Sequence, residues 1–239
     1  MYLSVIIPAY NEQDRLPKTL KEIDKYLKSQ KYDYEIIVVN DGSKDKTAEV
    51  VREEMNEIKN IKLIDNKQNR GKGFVTRQGM LEAEGEYRLF TDADNSTPIE
   101  QIENLLPFFK DGYDIVIGSR DIKGAKIENP QPLYRRILGE LFGIITSIIV
   151  GLWGIKDTQC GFKVLSKKAV MDILPRCRID RFAFDPEILK IGKNLGYKIK
   201  EVPIVWINDP NSKVKFKSMI KMGIDLLKIR WNLITGKYK

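Results

Sequence analysis

Two carboxylates at alternate positions, Asp92 and Asp94, follow the apolar run 87–91, which reads as a buried strand. Carboxylates at a strand's C-terminal end can share one hard divalent cation. Mg²⁺ or Mn²⁺ prefers such oxygen ligands and completes its shell with substrate phosphates. Asp-x-Asp alone is more often a polar loop, so the company it keeps decides. Two further polar stretches also follow apolar runs: Pro8-Ala9-Tyr10-Asn11-Glu12 after residues 3–7, and Asn40-Asp41-Gly42-Ser43 after 35–39.

Strand-like runs at 3–7, 35–39, 61–65, 87–91 and 114–118 alternate with helical patterns beginning near Asp14, Lys46, Gly73 and Pro98. Ser96 and Thr97 stand before Pro98 as possible caps. This βαβα order predicts an α/β fold with a mainly parallel sheet and helices on both faces. Ligands of such sheets bind outside the carboxyl ends of the strands, so the three polar stretches should share one site.

The rest of the composition narrows the chemistry. The 239 residues contain no histidine, which removes Ser-His-Asp catalysis and histidine metal sites together. Cys160 and Cys177 have no metal-type spacing and fit a reducing cytosol. The strand-like start gives the expectation of no signal peptide. The formal charge is +8, and residues 211–239 carry eight Lys/Arg against Asp225 alone. A basic pole of this kind suggests an anionic partner, membrane or nucleic acid.

Two stretches keep two readings each. Residues 141–155 carry no charge but are short of the roughly 20 needed to span a bilayer. They read as a buried core helix or as a helix dipping into a membrane interface. In the last 25 residues Phe216, Met219, Ile220, Gly223, Leu227, Trp231 and Ile234 recur at three- and four-residue spacing among Lys217, Lys221, Lys228 and Arg230. Such a basic amphipathic helix can lie in an interface with Trp231 as anchor, or pack on the domain with a solvated basic face. The expected division is a catalytic domain over 1–212 and this helix over 213–239.

The motifs together resemble glycosyltransferase family 2. They run from Val5-Ile6-Ile7-Pro8-Ala9-Tyr10-Asn11-Glu12 through Val39-Asn40-Asp41-Gly42-Ser43 and Asn69-Arg70-Gly71-Lys72-Gly73 to Asp92-Ala93-Asp94. Gly118-Ser119-Arg120, Asp157-Thr158-Gln159-Cys160-Gly161-Phe162-Lys163 and Arg181-Phe182-Ala183-Phe184-Asp185 narrow the resemblance to the dolichyl-phosphate β-glucosyltransferases, with the mannose synthases as relatives. The resemblance implies a GT-A fold and an inverting transfer of a sugar from a nucleotide donor to a polyprenyl or dolichyl phosphate.

It also implies roles. Asp41 matches the position that accepts from the pyrimidine ring, although Asn40 stands where many members have a second Asp. Pro8, Tyr10, Asn11 and Glu12 match the loop lining the nucleoside pocket, and Ala93 lies within the donor motif. Arg70 and Lys72, at a helix start where amides and dipole favour anions, could steer the diphosphate. Lys213 matches a position that closes on the donor phosphates. Asp92 and Asp94 are the implied ligands of Mg²⁺ or Mn²⁺, and Asp157 and Gln159 shape the reacting centre beside Asp94 and Arg120. A lipid phosphate is already ionised near pH 7 and has little need of a general base. It needs cations, for which Arg120 matches a family motif and Arg135 and Arg136 are neighbours. Asp185 either contacts sugar or acceptor or caps the helix after it. The expected setting is the cytoplasmic face of a membrane, held peripherally, without nucleic acid. A guanosine-donor mannose synthase is the nearest alternative activity, and a basic nucleic-acid-binding module the alternative from another class.

Overall fold

Strand alternation decides which side of the sheet each helix covers. Val5 and Ile7 belong to one buried cluster and Ile6 to the other, because successive side chains of a strand point to opposite faces. The computed structural model describes residues 1–129, 132–208 and 216–239. Its first half runs β1 (Leu3–Ala9), α1 (Leu16–Lys28), β2 (Tyr34–Asp41), α2 (Thr47–Glu57), β3 (Ile61–Asn66), α3 (Lys72–Glu82) and β4 (Tyr87–Thr91). Two single-turn helices follow, α4 (Ile102–Leu105) and α5 (Pro107–Lys110), and then β5 (Ile115–Ser119) and β6 (Lys126–Glu128). The second half contains α6 (Leu133–Thr146), β7 (Phe162–Ser166), α7 (Lys167–Ile173), α8 (Phe184–Asn194), β8 (Ile199–Pro203), β9 (Val205–Ile207) and α9 (Phe216–Ile234).

Seven strands form one sheet in the order β3-β2-β1-β4-β7-β5-β8, and β6 pairs with β9. β1 pairs in parallel with both β2 and β4, while β7 lies antiparallel between β4 and β5. The chain thus turns back on itself between β1 and β4, the switch point at which α/β sheets open a ligand crevice. Leu16, Leu20, Ile23 and Leu27 place one stripe of α1 on the first face. α3, α7, α8 and α9 cover the other face through Val75, Met80, Val170, Leu189, Leu226 and Ile229. The mainly parallel sheet with helices on both faces is therefore as expected.

Several local expectations are corrected. The helix expected from Pro98 is a 3₁₀ turn followed by α4 and α5, split because Pro107 cannot continue the ladder. Neither Ser96 nor Thr97 caps it; the N-cap is Pro98, with no side-chain bond. Asp185 does not cap α8 either, since its N-cap Ala183 has no side-chain bond and Asp185 pairs elsewhere. The strand β7, which carries Phe162 and Lys163 into the middle of the sheet, was not among the expected runs.

Residues 141–155 match neither of their readings in full. α6 continues as a π-helical turn (Ser147–Gly151) in which Val150 is fully buried, yet Leu133, Ile137, Leu141, Ile144 and Ile148 form an outward apolar stripe. α9 has the same double character. Met222, Leu226 and Ile229 pack into the core, whereas Ile220, Ile224, Leu227, Trp231 and Ile234 are at least half exposed. Among the described residues no helix is long and apolar enough to cross a membrane. The boundary expected at 212/213 falls outside the described residues.

Candidate active site

The C-terminal ends of β1, β2 and β4 open into one cleft of about 1670 Å³. Pro8, Tyr10, Asn11, Glu12, Asp41, Lys72, Asp92, Ala93 and Asp94 all line it, as do Arg120, Arg136, Asp157 and Gln159 farther along. The motifs separated in sequence are thus brought together. Arg70 is not: its guanidinium stacks on the Phe74 ring at 3.4 Å, outside the cleft lining. The side chain of Arg135, and Lys213 entirely, lie outside the described residues.

Asp41 ends β2 and is almost fully buried. Its Oδ1 accepts from the Arg70 amide at 2.7 Å, and its Oδ2 from the Gly71 amide and Asn69 Nδ2, both at 2.9 Å. The amides of Arg70 and Gly71, which lead into α3, are therefore engaged by a protein carboxylate, itself an anion beside a helix N-terminus. Burial raises the Asp41 pKa, and those amides only partly offset it. Gly71 takes a φ of 111° with the Asp180 carbonyl 2.4 Å from where its Cβ would stand, so no other residue fits there. Asn40 is also accounted for: its Nδ2 donates to Asp65 Oδ1 at 2.7 Å, a bond that a carboxylate at position 40 would turn into repulsion.

Asp92 and Asp94 follow β4 at the centre of the cleft. Lys72 Nζ stands 2.5 Å from Asp92 Oδ1, and Asp94 Oδ1 accepts from the Ser96 amide at 3.0 Å. Burial would lower the Lys72 pKa, but Asp92, Asp185 and Asp94 outweigh it and hold it raised. Asp94 is raised, first by burial and then by the charge of Asp92. Behind them lies a pair for which sequence reading had assigned no partner. Fully buried Lys163 donates to Asp185 Oδ1 at 2.6 Å and to the Cys160 carbonyl, with Phe90 beneath it. Burial raises Asp185, while Lys163 and Lys72 pull it back. Asp92, Asp94, Asp185 and Lys72 thus line the cleft floor, with the Lys163 ammonium buried behind them. Among the described residues no cluster of three acidic, histidine or cysteine side chains forms a closed metal cage.

At the far end Arg120 grips Asp157 with two parallel bonds, Nε to Oδ2 at 2.7 Å and Nη2 to Oδ1 at 2.9 Å. The Arg120 amide adds a third bond to Asp157. Burial would raise the Asp157 pKa, but Arg120 overcomes it and holds the carboxyl below its ordinary range. Nη1 remains outside these bonds. Gln159 Nε2 and Thr158 Oγ1 are enclosed without a hydrogen-bond partner among the described residues, and both residues line the cleft. Cys160 is no nucleophile: burial pushes its thiol up to about 12. Arg181, which holds Asn69 Oδ1 at 2.5 Å, and Trp206, 5.4 Å from Arg120, are further cleft residues that sequence reading missed. Arg181 stood in a recognised motif, whereas Trp206 gave no signal. Beyond Arg136 the wall becomes apolar, with Phe142, Ile148 and Trp153 leading onto the exposed stripe of α6.

Residues 4–174 match the family described as Glycosyl transferase family 2. A dolichyl-phosphate beta-glucosyltransferase of Trichomonas vaginalis is 42% identical over all of this chain and 76% of its own length. The enzymes of that name from Dictyostelium discoideum and Mus musculus are 39% and 36% identical, each over 77% of its length and essentially all of this chain. Among solved structures, glucosyl-3-phosphoglycerate synthase from Mycobacterium tuberculosis, in complex with Mn²⁺, UDP and its product, superposes with a TM-score of 0.72 at 16% identity, over 95% of this chain and 78% of that one. At that identity the likeness speaks for the GT-A fold alone.

Proposed function

The chain belongs to glycosyltransferase family 2, and from that premise we propose that it transfers glucose from UDP-glucose to a dolichyl-type phosphate at a membrane surface. The observation that carries this is the polarity of the cleft. One end is an acidic floor beside the Asp41 pocket, and the other passes through Arg120 and Arg136 onto exposed apolar helix. A nucleotide-sugar suits the first end and a phosphate with a hydrocarbon tail the second. The names of the relatives supply the sugar and the lipid.

Asp94 and Asp92 suit Mg²⁺ or Mn²⁺, which takes one or two carboxylates and fills its shell with substrate phosphates and water. When bound, the cation neutralises charge developing on the departing diphosphate. Lys72 lies beside the same phosphates and serves that charge too. Asp157 fixes the Arg120 plane so that its Nη1 side can hold the acceptor phosphate. A phosphate oxygen of the acceptor attacks the anomeric carbon as the bond to the UDP oxygen breaks, giving UDP and a β-linked lipid-phosphate sugar. No proton has to be removed from the acceptor, which suits a chain without histidine. The enclosed amide of Gln159 is a donor suited to a sugar hydroxyl. Lys213 and Arg135 belong to the same proposal, as closers on donor and acceptor phosphates. The acidic floor disfavours a nucleic-acid backbone, so the anionic partner is the cytoplasmic leaflet of a membrane.

The test is a panel of nucleotide-sugars offered with polyprenyl phosphate and Mg²⁺ or Mn²⁺, with the lipid product identified by mass. A glucosyl-phosphate lipid from UDP-glucose, lost in chelator and in Asp94→Asn, is expected. A mannosyl product from GDP-mannose would replace the assignment, and full activity in chelator would remove the cation.

A further inference from the structure

A second concavity of about 490 Å³ lies outside the cleft, between the outer face of α9 and the segment before α8. Three cations border it, Arg178, Lys228 and Lys237, and the exposed apolar side chains Ile224, Leu227 and Trp231 share its wall. The one carboxylate bonded to these cations among the described residues is Asp225, 2.8 Å from Lys228. The concavity thus keeps an excess of positive charge next to apolar surface.

Its walls are fixed from behind. Glu187, fully buried on α8, accepts from the backbone amides of Arg178 and Ile179 at 2.9 Å each. The Tyr238 hydroxyl donates to Glu187 Oε1 at 2.6 Å and accepts from Asn232 Nδ2 at 3.2 Å. The backbone beside Arg178, the residue after Lys237 and the inner face of α9 therefore meet on one carboxylate. Three separate pieces of chain are held in register, which a patch of independent surface lysines would not be.

We propose that this groove is a binding site for the phosphomonoester headgroup of an anionic membrane phospholipid, with Arg178 and Lys237 on the phosphate and Trp231 and Leu227 against its glycerol and acyl region. Charge complementarity names the headgroup, and the adjoining apolar wall on the helix that faces outward names its lipid source. The inference rests on the membrane setting proposed above and sharpens it: the basic tail reads a headgroup at one place and does not merely sense surface charge. Because Met222, Leu226 and Ile229 fix α9 on the core, a headgroup seated there sets the direction in which the cleft meets the bilayer.

The experiment uses the full chain and phosphatidylcholine vesicles containing either phosphatidic acid or phosphatidylglycerol, adjusted to equal surface potential. The wild type should prefer the phosphomonoester by about fivefold, roughly the worth of one basic residue near a charged surface. Arg178→Gln with Lys237→Gln should abolish that preference. Lys221→Gln with Arg230→Gln removes the same charge from α9 positions that do not border the groove, and should weaken binding to both vesicles while keeping the preference. Equal binding of the wild type to both vesicles, or equal loss of preference in the two double variants, would overturn the site and leave the membrane setting standing. Failure to bind any vesicle would overturn the membrane setting as well. Tight calorimetric binding of inorganic phosphate without vesicles, lost in the Arg178/Lys237 variant, would reassign the groove to a soluble anion and overturn the lipid.

Discussion

The carboxylate of Asp92 occupies the place where a side chain on residue 161 would begin. A Cβ built on Gly161 falls 2.1 Å from Asp92 Oδ2 and 2.6 Å from its Cγ. Gly161 immediately precedes β7, so a proposed cation ligand finds its place beside the central antiparallel strand only because residue 161 has no side chain. Gly161→Ala should push Asp92 off Lys72 and away from Asp94, because the carboxylate is the part free to move. The expected result is a loss of about 100-fold in kcat, the scale of a misplacement near 1 Å, with a higher Mn²⁺ requirement and little change in melting temperature. Activity and metal activation equal to wild type would show that the contact positions nothing.

Asp41 accepts from three protein donors, which changes what its substitution should do. Asp41→Asn replaces one acceptor oxygen by an amide that faces the Arg70 and Gly71 amides or Asn69 Nδ2, so the loop 69–71 loses its anchor. Hydrogen bonds to a charged group are worth about 1.5–3 kcal/mol. UDP affinity should fall by about tenfold or more, and thermal stability should fall with it. Calorimetry with UDP and a melting curve check both, and unchanged affinity in a destabilised variant would leave Asp41 as a structural anchor alone.

The Arg120–Asp157 pair carries a pH signature. Its carboxyl has a lower pKa in the folded protein than the roughly 3.9 of the unfolded chain. The pair therefore stabilises the fold fully above that unfolded value and loses the contribution as pH falls toward the folded one. Arg120→Lys keeps a cation beside buried Asp157 but gives up the planar fork. The KM for polyprenyl phosphate should rise while UDP affinity stays as it was, and the acid limb of the stability curve should flatten. Equal loss toward donor and acceptor would move Arg120 to the donor side.

Five parallel strands and the gathering of three polar motifs at one edge were legible because each of these strands was a short apolar run and three of them end in polar residues. Lys163 and Asp185 were not legible as a pair. Twenty-two residues separate them, and only the antiparallel insertion of β7 beside β4 brings a lysine from a motif strand against the start of α8. Arg70 misled for the opposite reason: a cation next to Gly at a helix start suggests phosphate, but its backbone serves Asp41 and its side chain lies on Phe74. In α9 the spacing of apolar residues was visible, but the helix has two apolar faces, and only packing shows that Leu226 and Ile229 turn inward.

Those two faces decide how membrane attachment should be tested. Deleting α9 would strip Met222, Leu226 and Ile229 from the core, so loss of activity in a truncated chain would say nothing about anchoring. Ile220→Ser with Ile234→Ser alters only the outer face of α9, where these side chains are 55% and 67% exposed. Ile137→Ser with Leu141→Ser does the same on α6, at positions that do not line the cleft. Each pair should weaken vesicle binding by roughly tenfold or more, since burying one such side chain is worth about 1.5–3 kcal/mol. Turnover of lipid acceptor should fall in parallel, with UDP affinity unchanged. Salt screens the basic residues but not apolar insertion, so the wild type should stay partly bound at high salt and the variants should release. Variants that float with vesicles as the wild type does, at low and high salt alike, would show that these stripes do not meet the bilayer.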